Sequence, residues 1–513
     1  MTGTRVTPYV SGSLNLLLQR LLTTSDLSGT TAELSREGGL ALGDGLAPMD
    51  VENEHHYSTG ESDMRIHLAV LSVFLLIGIS RGSFAQTSPA FPLKAGAAKI
   101  DVTPAESELP KTYDGILDKL YARAIVVDNG TTSAAVITLD AGGIPDQLWQ
   151  TVSRRVETEL GIPAKNLLLT ATHSHSAPGI PAPALAQRIV ESVQAAKGKL
   201  QPARMGFGTG VSYINVNRNI IDPKTRRWWE GPNYDGPSDK TVAVVKFETL
   251  AGEPIAVYYN YAMHGVTVGQ LDKVSADAPG TASKYIEDSL DDKIVAVWST
   301  GASGDQNPIY FQQTYDLREI RIKEYAKRGE DISNAMPPGG QGLNKQDPTV
   351  IKLMNQQKQM ILSMGQFLGE EVLHVMRDIE RTETSARIYA GQKTASCPGR
   401  QRTDTGRAGY PGTYKDADPV DLRLSLLMVG DVAISGVNGE VFNLIAQRLK
   451  KESKFANTMM VTLTNGMARS GYIPNDAAFG FNTFEVVSSR LKPGCAEDAI
   501  VNGLLDMMPE IQF

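Results

Sequence analysis

Cysteine and histidine are both scarce in this 513-residue chain, which has two of the first and seven of the second. Two cysteines exclude a disulfide framework and a thiolate metal knuckle; they allow one bond at most, Cys397 with Cys495, and the sequence leaves that pairing open. An excess of basic charge is missing too. The formal net charge is −7 and the pI about 5.7, so nucleic acid is not an expected partner. From Gln86 onward the chain has no GxGxxG, no GxxxxGK[ST] and no GxSxG, which removes support for nucleotide cofactors and for the common serine-hydrolase plan. The apolar run Leu68–Ile79 is twelve residues long, short of the roughly 20 that a membrane span needs.

What that run does resemble is the core of a secretory signal peptide. Met64-Arg65-Ile66-His67 supplies a basic start, and Ser83-Phe84-Ala85 before Gln86 supplies a small-x-small processing site. The expected organisation is therefore a leader at 1–63 that is non-native or disordered and reflects a misassigned start codon, a signal peptide at 64–85, and a catalytic domain at 86–513. Export to the periplasm or beyond follows from that reading. His55 and His56 fall in the leader and His67 in the signal peptide, so a mature chain would keep only His173, His175, His264 and His374.

Three of those four sit at strand ends. Leu168-Leu169-Thr170-Ala171-Thr172 reads as a buried strand running into His173-Ser174-His175-Ser176-Ala177-Pro178-Gly179. In an extended segment residues two apart share a face, so both imidazoles are expected to point into a site at the strand's carboxyl end. Ile255–Met263 is a second apolar strand that ends in His264-Gly265. Neutral imidazole is the commonest side-chain metal ligand, and two strand ends delivering three histidines point to metal chemistry. His374 lies in an amphipathic helical pattern with no partner nearby in sequence and reads as an ordinary surface histidine.

The rest of the chain reads as mixed α/β. Strands are expected at 133–139, 166–171, 242–247, 255–261, 294–299, 424–429 and 459–463, and helices at 148–160, 184–197, 282–290, 349–379 and 441–451. The Gly/Pro-rich stretches 336–342 and 397–419 read as breaks. The second carries Arg400, Arg402, Asp404 and Arg407 and is expected to be a solvated surface loop, with a substrate rim as the alternative.

Seven motifs in order resemble one family. Thr170–Gly179 closely resembles the A-T-H-T-H-S-G-P-G segment of neutral/alkaline non-lysosomal ceramidases, zinc amidases that cleave the N-acyl bond of ceramide. Asn217-Arg218 is similar to its N-R-S-P segment. Met263-His264-Gly265, Ser275-Ala276-Asp277-Ala278-Pro279-Gly280, Ser303-Gly304-Asp305-Gln306-Asn307-Pro308, Gly439-Glu440-Val441-Phe442 and Gly471-Tyr472 follow collinearly, from about Ala95 onward. The resemblance implies a neutral-ceramidase-like catalytic domain of mixed sheets flanked by helices. It also implies Zn²⁺ held by His173, His264, Glu440 and Tyr472, with His175, Arg218 and Asn307 around the reacting carbonyl. Taken alone, Glu440 would read as a first-turn helix glutamate and Tyr472 as a buried aromatic. Their order relative to the histidines favours the ligand role.

The chain departs from the family's pattern at two positions. Asn307 stands where the family has a loop serine, and asparagine cannot form an acyl-enzyme; a metal-activated water is the expected nucleophile. Phe484 stands where the family has a tyrosine that assists at the carbonyl, a loss of roughly 3–4 kcal/mol for an oxyanion contact. The chain also ends at Phe513, where the family continues into a β-sandwich domain. The expected function is therefore hydrolysis of an N-acyl amide, ceramide or a relative, with a lipid or small-molecule amide as partner and peripheral membrane contact compatible with it. A metallohydrolase of a small polar ester or amide and a catalytically inactive zinc-binding homologue are the alternatives. Oligomeric state stays open.

Overall fold

The computed structural model describes residues 91–510 except 270, 334–336, 338 and 407. The expected leader and signal peptide, with His55, His56 and His67, lie outside the described residues.

Four layers stack as helices, sheet, sheet, helices. The larger sheet has eight strands, in the spatial order Val295–Thr300, Pro254–Tyr261, Thr241–Thr249, Gln201–Val211, Lys94–Asp101, Tyr121–Asp128, Ser133–Leu139, Leu167–Ala171. Both of its edges are parallel pairs joined by a crossover helix. Ser133–Leu139 connects through helix Asp146–Leu160 to Leu167–Ala171, and Pro254–Tyr261 connects through helix Asp277–Ser289 to Val295–Thr300. Parallel neighbours need such crossovers, and their strands are buried on both faces, which explains the near-continuous apolar runs in these segments.

On one face the large sheet packs against helices. Ile137, Leu139, Leu167 and Leu169 meet Leu148, Val152, Val156, Ile189 and Val193, while Val244, Val257 and Tyr259 meet Ala282, Ile286, Leu368 and Val372. On the other face, Ile125, Val136, Met205, Val245 and Tyr258 pack against Leu427, Val429, Ile434, Met459 and Val461 of a four-stranded sheet. That second sheet is covered in turn by helices Asn443–Glu452 and Ala496–Met507 through Ile445, Leu449, Ile500 and Leu504. Mixed sheets flanked by helices are thus observed.

The stretch 397–419 is not a surface loop. It is the outer half of a long antiparallel hairpin, Ile388–Arg402 with Tyr414–Val429, and only 403–413 form its tip. Its polar residues lie on a solvent-facing side while Cys397 and Val420 are buried. The ladder shifts register between Cys397 and Gly399, around Pro398, which has no N–H to donate. Arg400 Nε donates to the Ser489 carbonyl at 3.1 Å, so the hairpin leans on the segment after helix Phe484–Ser488. Cys397 and Cys495 form a disulfide with Cα atoms 5.8 Å apart. Among the described residues no helix is long and apolar enough to cross a membrane.

Candidate metal centre

The two edges of the large sheet curl towards each other, and that closure assembles the site. Thr300 Oγ1 donates to the Ala171 carbonyl at 2.9 Å, and Thr170 Oγ1 donates to the Thr462 carbonyl at 2.9 Å. Thr462 N–H in turn donates to the Thr300 carbonyl at 2.9 Å. Asn465 side-chain groups pair with the backbone of Leu167 and Leu169. The segment 462–465 therefore ties one edge strand to the other. His173, just beyond Leu167–Ala171, and His264, just beyond Pro254–Tyr261 and so next to the opposite edge strand, come face to face with ring centres 4.5 Å apart.

The loops that follow the strands also touch directly. Ser174 and Gly265 form a parallel bridge, and the His175 N–H donates to the Gly265 carbonyl at 2.9 Å. A Cβ on Gly265 would lie 3.0 Å from the His173 carbonyl oxygen, so the close approach requires glycine. His173 itself has φ of 62°, the left-handed region, which for a non-glycine residue costs about 1–2 kcal/mol. The H-x-H segment is thus turned rather than extended as the sequence suggested, yet both imidazoles still arrive together. The His175 and His173 Nε2 atoms are 3.3 Å apart.

The hydrogen bonds define the protonation of the ligand candidates. His173 Nδ1 lies 2.6 Å from the Gly142 carbonyl oxygen and His264 Nδ1 lies 3.0 Å from that of Gln306. A carbonyl can only accept, so each Nδ1 carries the proton and each Nε2 presents a lone pair when the ring is neutral. Both Nε2 atoms stand 3.2 Å from Glu440 Oε2. Burial, aided by Arg218 and His173, pushes His264 down to about 4, so it is neutral at physiological pH. Burial pushes the Glu440 carboxyl up, but the two imidazoles outweigh it and hold the group well below the usual carboxylate range. Lone pairs from two imidazoles and a carboxylate thus converge on one point, which is unfavourable unless a cation lies among them. The donor set fits a borderline divalent ion such as zinc.

His175 is the third imidazole, and the ligand atoms of His173, His175 and His264 all lie within 4.8 Å of one another. Geometry alone therefore admits it as a donor, beside the catalytic place expected from the sequence. It is exposed at the rim, with the rings of His173 and His264 centred 4.7 and 5.9 Å away. Desolvation first, then His173 and His264, hold its pKa well below the ordinary histidine value. Tyr472 lies beside Glu440: Glu440–Val441 and Tyr472–Ile473 form a two-residue parallel ladder in which those two residues are register partners. Burial pushes the Tyr472 hydroxyl up.

Arg218 and Asn307 occupy an adjoining small sheet, in which Gln306–Pro308 pairs with Asn215–Ile221. Arg218 is 5% exposed, and its guanidinium carbon is 5.4 Å from the centre of the Tyr472 ring. Asn307 is buried, with Oδ1 accepting from Arg218 Nη1 at 3.2 Å and Nδ2 donating to Glu230 Oε1 at 2.9 Å. Its amide braces the arginine. Phe484 meets Tyr472 edge-on with ring centres 5.8 Å apart. His374 lies on helix Pro348–Asp378, where its Nε2 stands 3.3 Å from Asp378 Oδ2 one turn on, a partner that the sequence pattern did not suggest.

Sequence reasoning missed Glu485, which accepts from Arg218 Nε at 2.6 Å, and Glu230, which joins Asn307 to Arg318. Neither belongs to a recognisable motif. The one local signal was Thr483 before Phe484-Glu485, a helix N-cap whose side chain accepts from Val486 N–H.

Strand-end histidines and a carboxylate gathered on an α/β scaffold form a candidate metal centre. The family described as neutral/alkaline non-lysosomal ceramidase, N-terminal, matches residues 103–401, and the chain belongs to that family. Among curated relatives, the neutral ceramidase of Pseudomonas aeruginosa is 25% identical over 310 residues, covering 52% of this chain and 46% of that protein. The neutral ceramidase of Drosophila melanogaster is 24% identical over 278 residues, covering 47% of this chain and 38% of its own. The chain thus spans about half the length or less of these relatives. A crystal structure of neutral ceramidase from Pseudomonas aeruginosa superposes with a TM-score of 0.62 at 16% identity, covering 81% of this chain and 74% of that one. That likeness establishes the fold.

Proposed function

We propose that this chain is a zinc-dependent amidohydrolase that cleaves the N-acyl bond of ceramide or a related lipid amide. The observation that supports it is the meeting of His173 Nε2 and His264 Nε2 on a single oxygen of Glu440, each at 3.2 Å, in a chain of this family. His173, His264, Glu440 and Tyr472 would hold the ion, which when bound would lower the pKa of a water and polarise the scissile carbonyl.

The chain's own residues would do the rest. The Gly142 and Gln306 carbonyls keep both ligand imidazoles in the tautomer that leaves Nε2 free. His175, neutral and open to solvent at the rim, would take a proton from the attacking water and return it to the departing amine. Arg218, braced by Asn307, would donate to the oxygen of the reacting carbonyl. With asparagine at 307, that position offers no nucleophile for an acyl-enzyme, so water attacks directly. Phe484 beside Tyr472 lacks the family's hydroxyl, which favours a substrate altered from ceramide itself and keeps a small polar ester or amide as the second reading.

Export through a signal peptide at 64–85, after translation from Met64, belongs to the same proposal. Amino-terminal sequencing of secreted protein should begin near Gln86. The deciding experiment measures fatty-acid release from ceramide and a panel of N-acyl amides. Release that is lost on chelation or in His173→Ala, and restored by zinc, is the expected result. Folded, zinc-bearing protein that turns over no amide or ester would instead identify an inactive zinc-binding homologue.

A further inference from the structure

The buried arginine next to the centre is not a free positive charge. Each of its three nitrogens already donates: Nε to Glu485 Oε1 at 2.6 Å, Nη1 to Asn307 Oδ1 at 3.2 Å, and Nη2 to the Gly304 carbonyl at 2.8 Å. Arg218 and Glu485 are 5% and 1% exposed, so water screens their pairing little. Glu485 Oε2 has no hydrogen-bond partner among the described residues, so no second hydrogen-bonded cation shares this carboxylate. The next cation, Arg318, pairs with its own carboxylate, Glu230, at 2.7 Å. Cations and carboxylates on this side of the site are thus matched one to one.

A site built to seize a carboxylate or phosphate leaves a guanidinium edge open for two parallel N–H···O bonds. Both edges of Arg218 are interrupted here, one by Glu485 and the other by Asn307, with Gly304 between them. What is left are single N–H groups on a neutralised cation, suited to one oxygen of an uncharged group.

We propose that Glu485 is a specificity-determining counter-ion that makes the site select uncharged N-acyl amides over those carrying an anionic head group. This inference rests on the amidohydrolase reading above and names the head-group class it would accept. Removing the carboxylate leaves Arg218 unneutralised beside the cleavage site, and an anionic substrate should then be drawn in.

The test compares kcat/KM for N-lauroylethanolamine and N-lauroylglycine, two amides with the same acyl chain and a neutral or anionic head. Wild type should favour the neutral amide at least about tenfold, and Glu485→Gln should shrink that ratio by roughly tenfold or more, the order expected for deleting one poorly screened charge a few ångströms away. Glu485→Asp, which keeps the charge, should retain the wild-type preference and guards against a Gln variant that fails to fold. A wild-type preference for the glycine conjugate, or a ratio unchanged in folded Glu485→Gln, overturns the proposal while leaving the amidohydrolase reading intact. If neither amide, nor any other N-acyl amide, is cleaved, the amidohydrolase reading falls and this inference falls with it.

Discussion

Glu440 and Tyr472 are register partners in a parallel ladder only two residues long. The pairing is made by backbone groups, so a change of either side chain leaves it in place. Glu440→Gln removes the carboxylate that faces both imidazoles and should abolish zinc retention. Tyr472→Phe removes a proposed ligand but leaves the carboxylate and both imidazoles, and should weaken zinc binding less, by about 10-fold or more. Metal content after dialysis against graded chelator checks both; equal loss in the two variants would contradict the ranking.

The contact between the two histidine loops leads to a second expectation. A methyl group at Gly265 would lie 3.0 Å from the His173 carbonyl oxygen and 3.2 Å from Ser174 Cα, both of them backbone atoms that cannot swing aside. Gly265→Ala should destabilise the fold by about 1–3 kcal/mol and loosen zinc binding as well. Urea denaturation with and without zinc measures the two effects separately.

The Cys397–Cys495 bond joins positions 98 residues apart. Chain entropy for a loop of that size corresponds to a loss of up to about 4.7 kcal/mol when the link is removed. Cys397→Ala with Cys495→Ala should lower the urea midpoint accordingly. An unchanged midpoint would mean that the packing of Val420, Leu491 and Ile500 around the bond suffices without it.

Three carboxyls shape the dependence of stability on pH. Burial raises Asp118 from an ordinary 3.8 to about 7, and raises Asp277 and Asp305 to about 6. At these three positions the folded state then binds more protons than the unfolded one between pH 4 and 7, so their contribution makes stability fall as pH rises through that window. Asp118→Asn should flatten part of the slope. Melting temperatures from pH 4 to 8, for wild type and variant, would show it; parallel curves would argue against the raised carboxyl.

How much of this was legible beforehand differs by element. The strands that lead into the histidines were readable because burial on both faces makes them continuous apolar runs. Lys94–Asp101 escaped notice because its alanines and glycine carry little β signal, and its burial comes from neighbours distant in sequence. The hairpin at 397–419 was mistaken for a loop because its outward face is polar and its inward partners are remote. Within the site, His173 and His264 were singled out by their place at strand ends and Glu440 by the collinear motifs, and the structure brings the three together. Glu485 was not singled out, since its significance depends on Arg218, which lies 267 positions away in sequence.

The centre draws on residues 173, 264, 440 and 472, which only the closed sheet brings together. An ion bound there is a ligand of the folded state alone, so free zinc at a hundred times its dissociation constant would add about 2.7 kcal/mol to stability. Metal supply would then govern how long the protein lasts as well as whether it works: in a zinc-poor medium the same chain would open more often at its sheet edges and fall sooner to proteases.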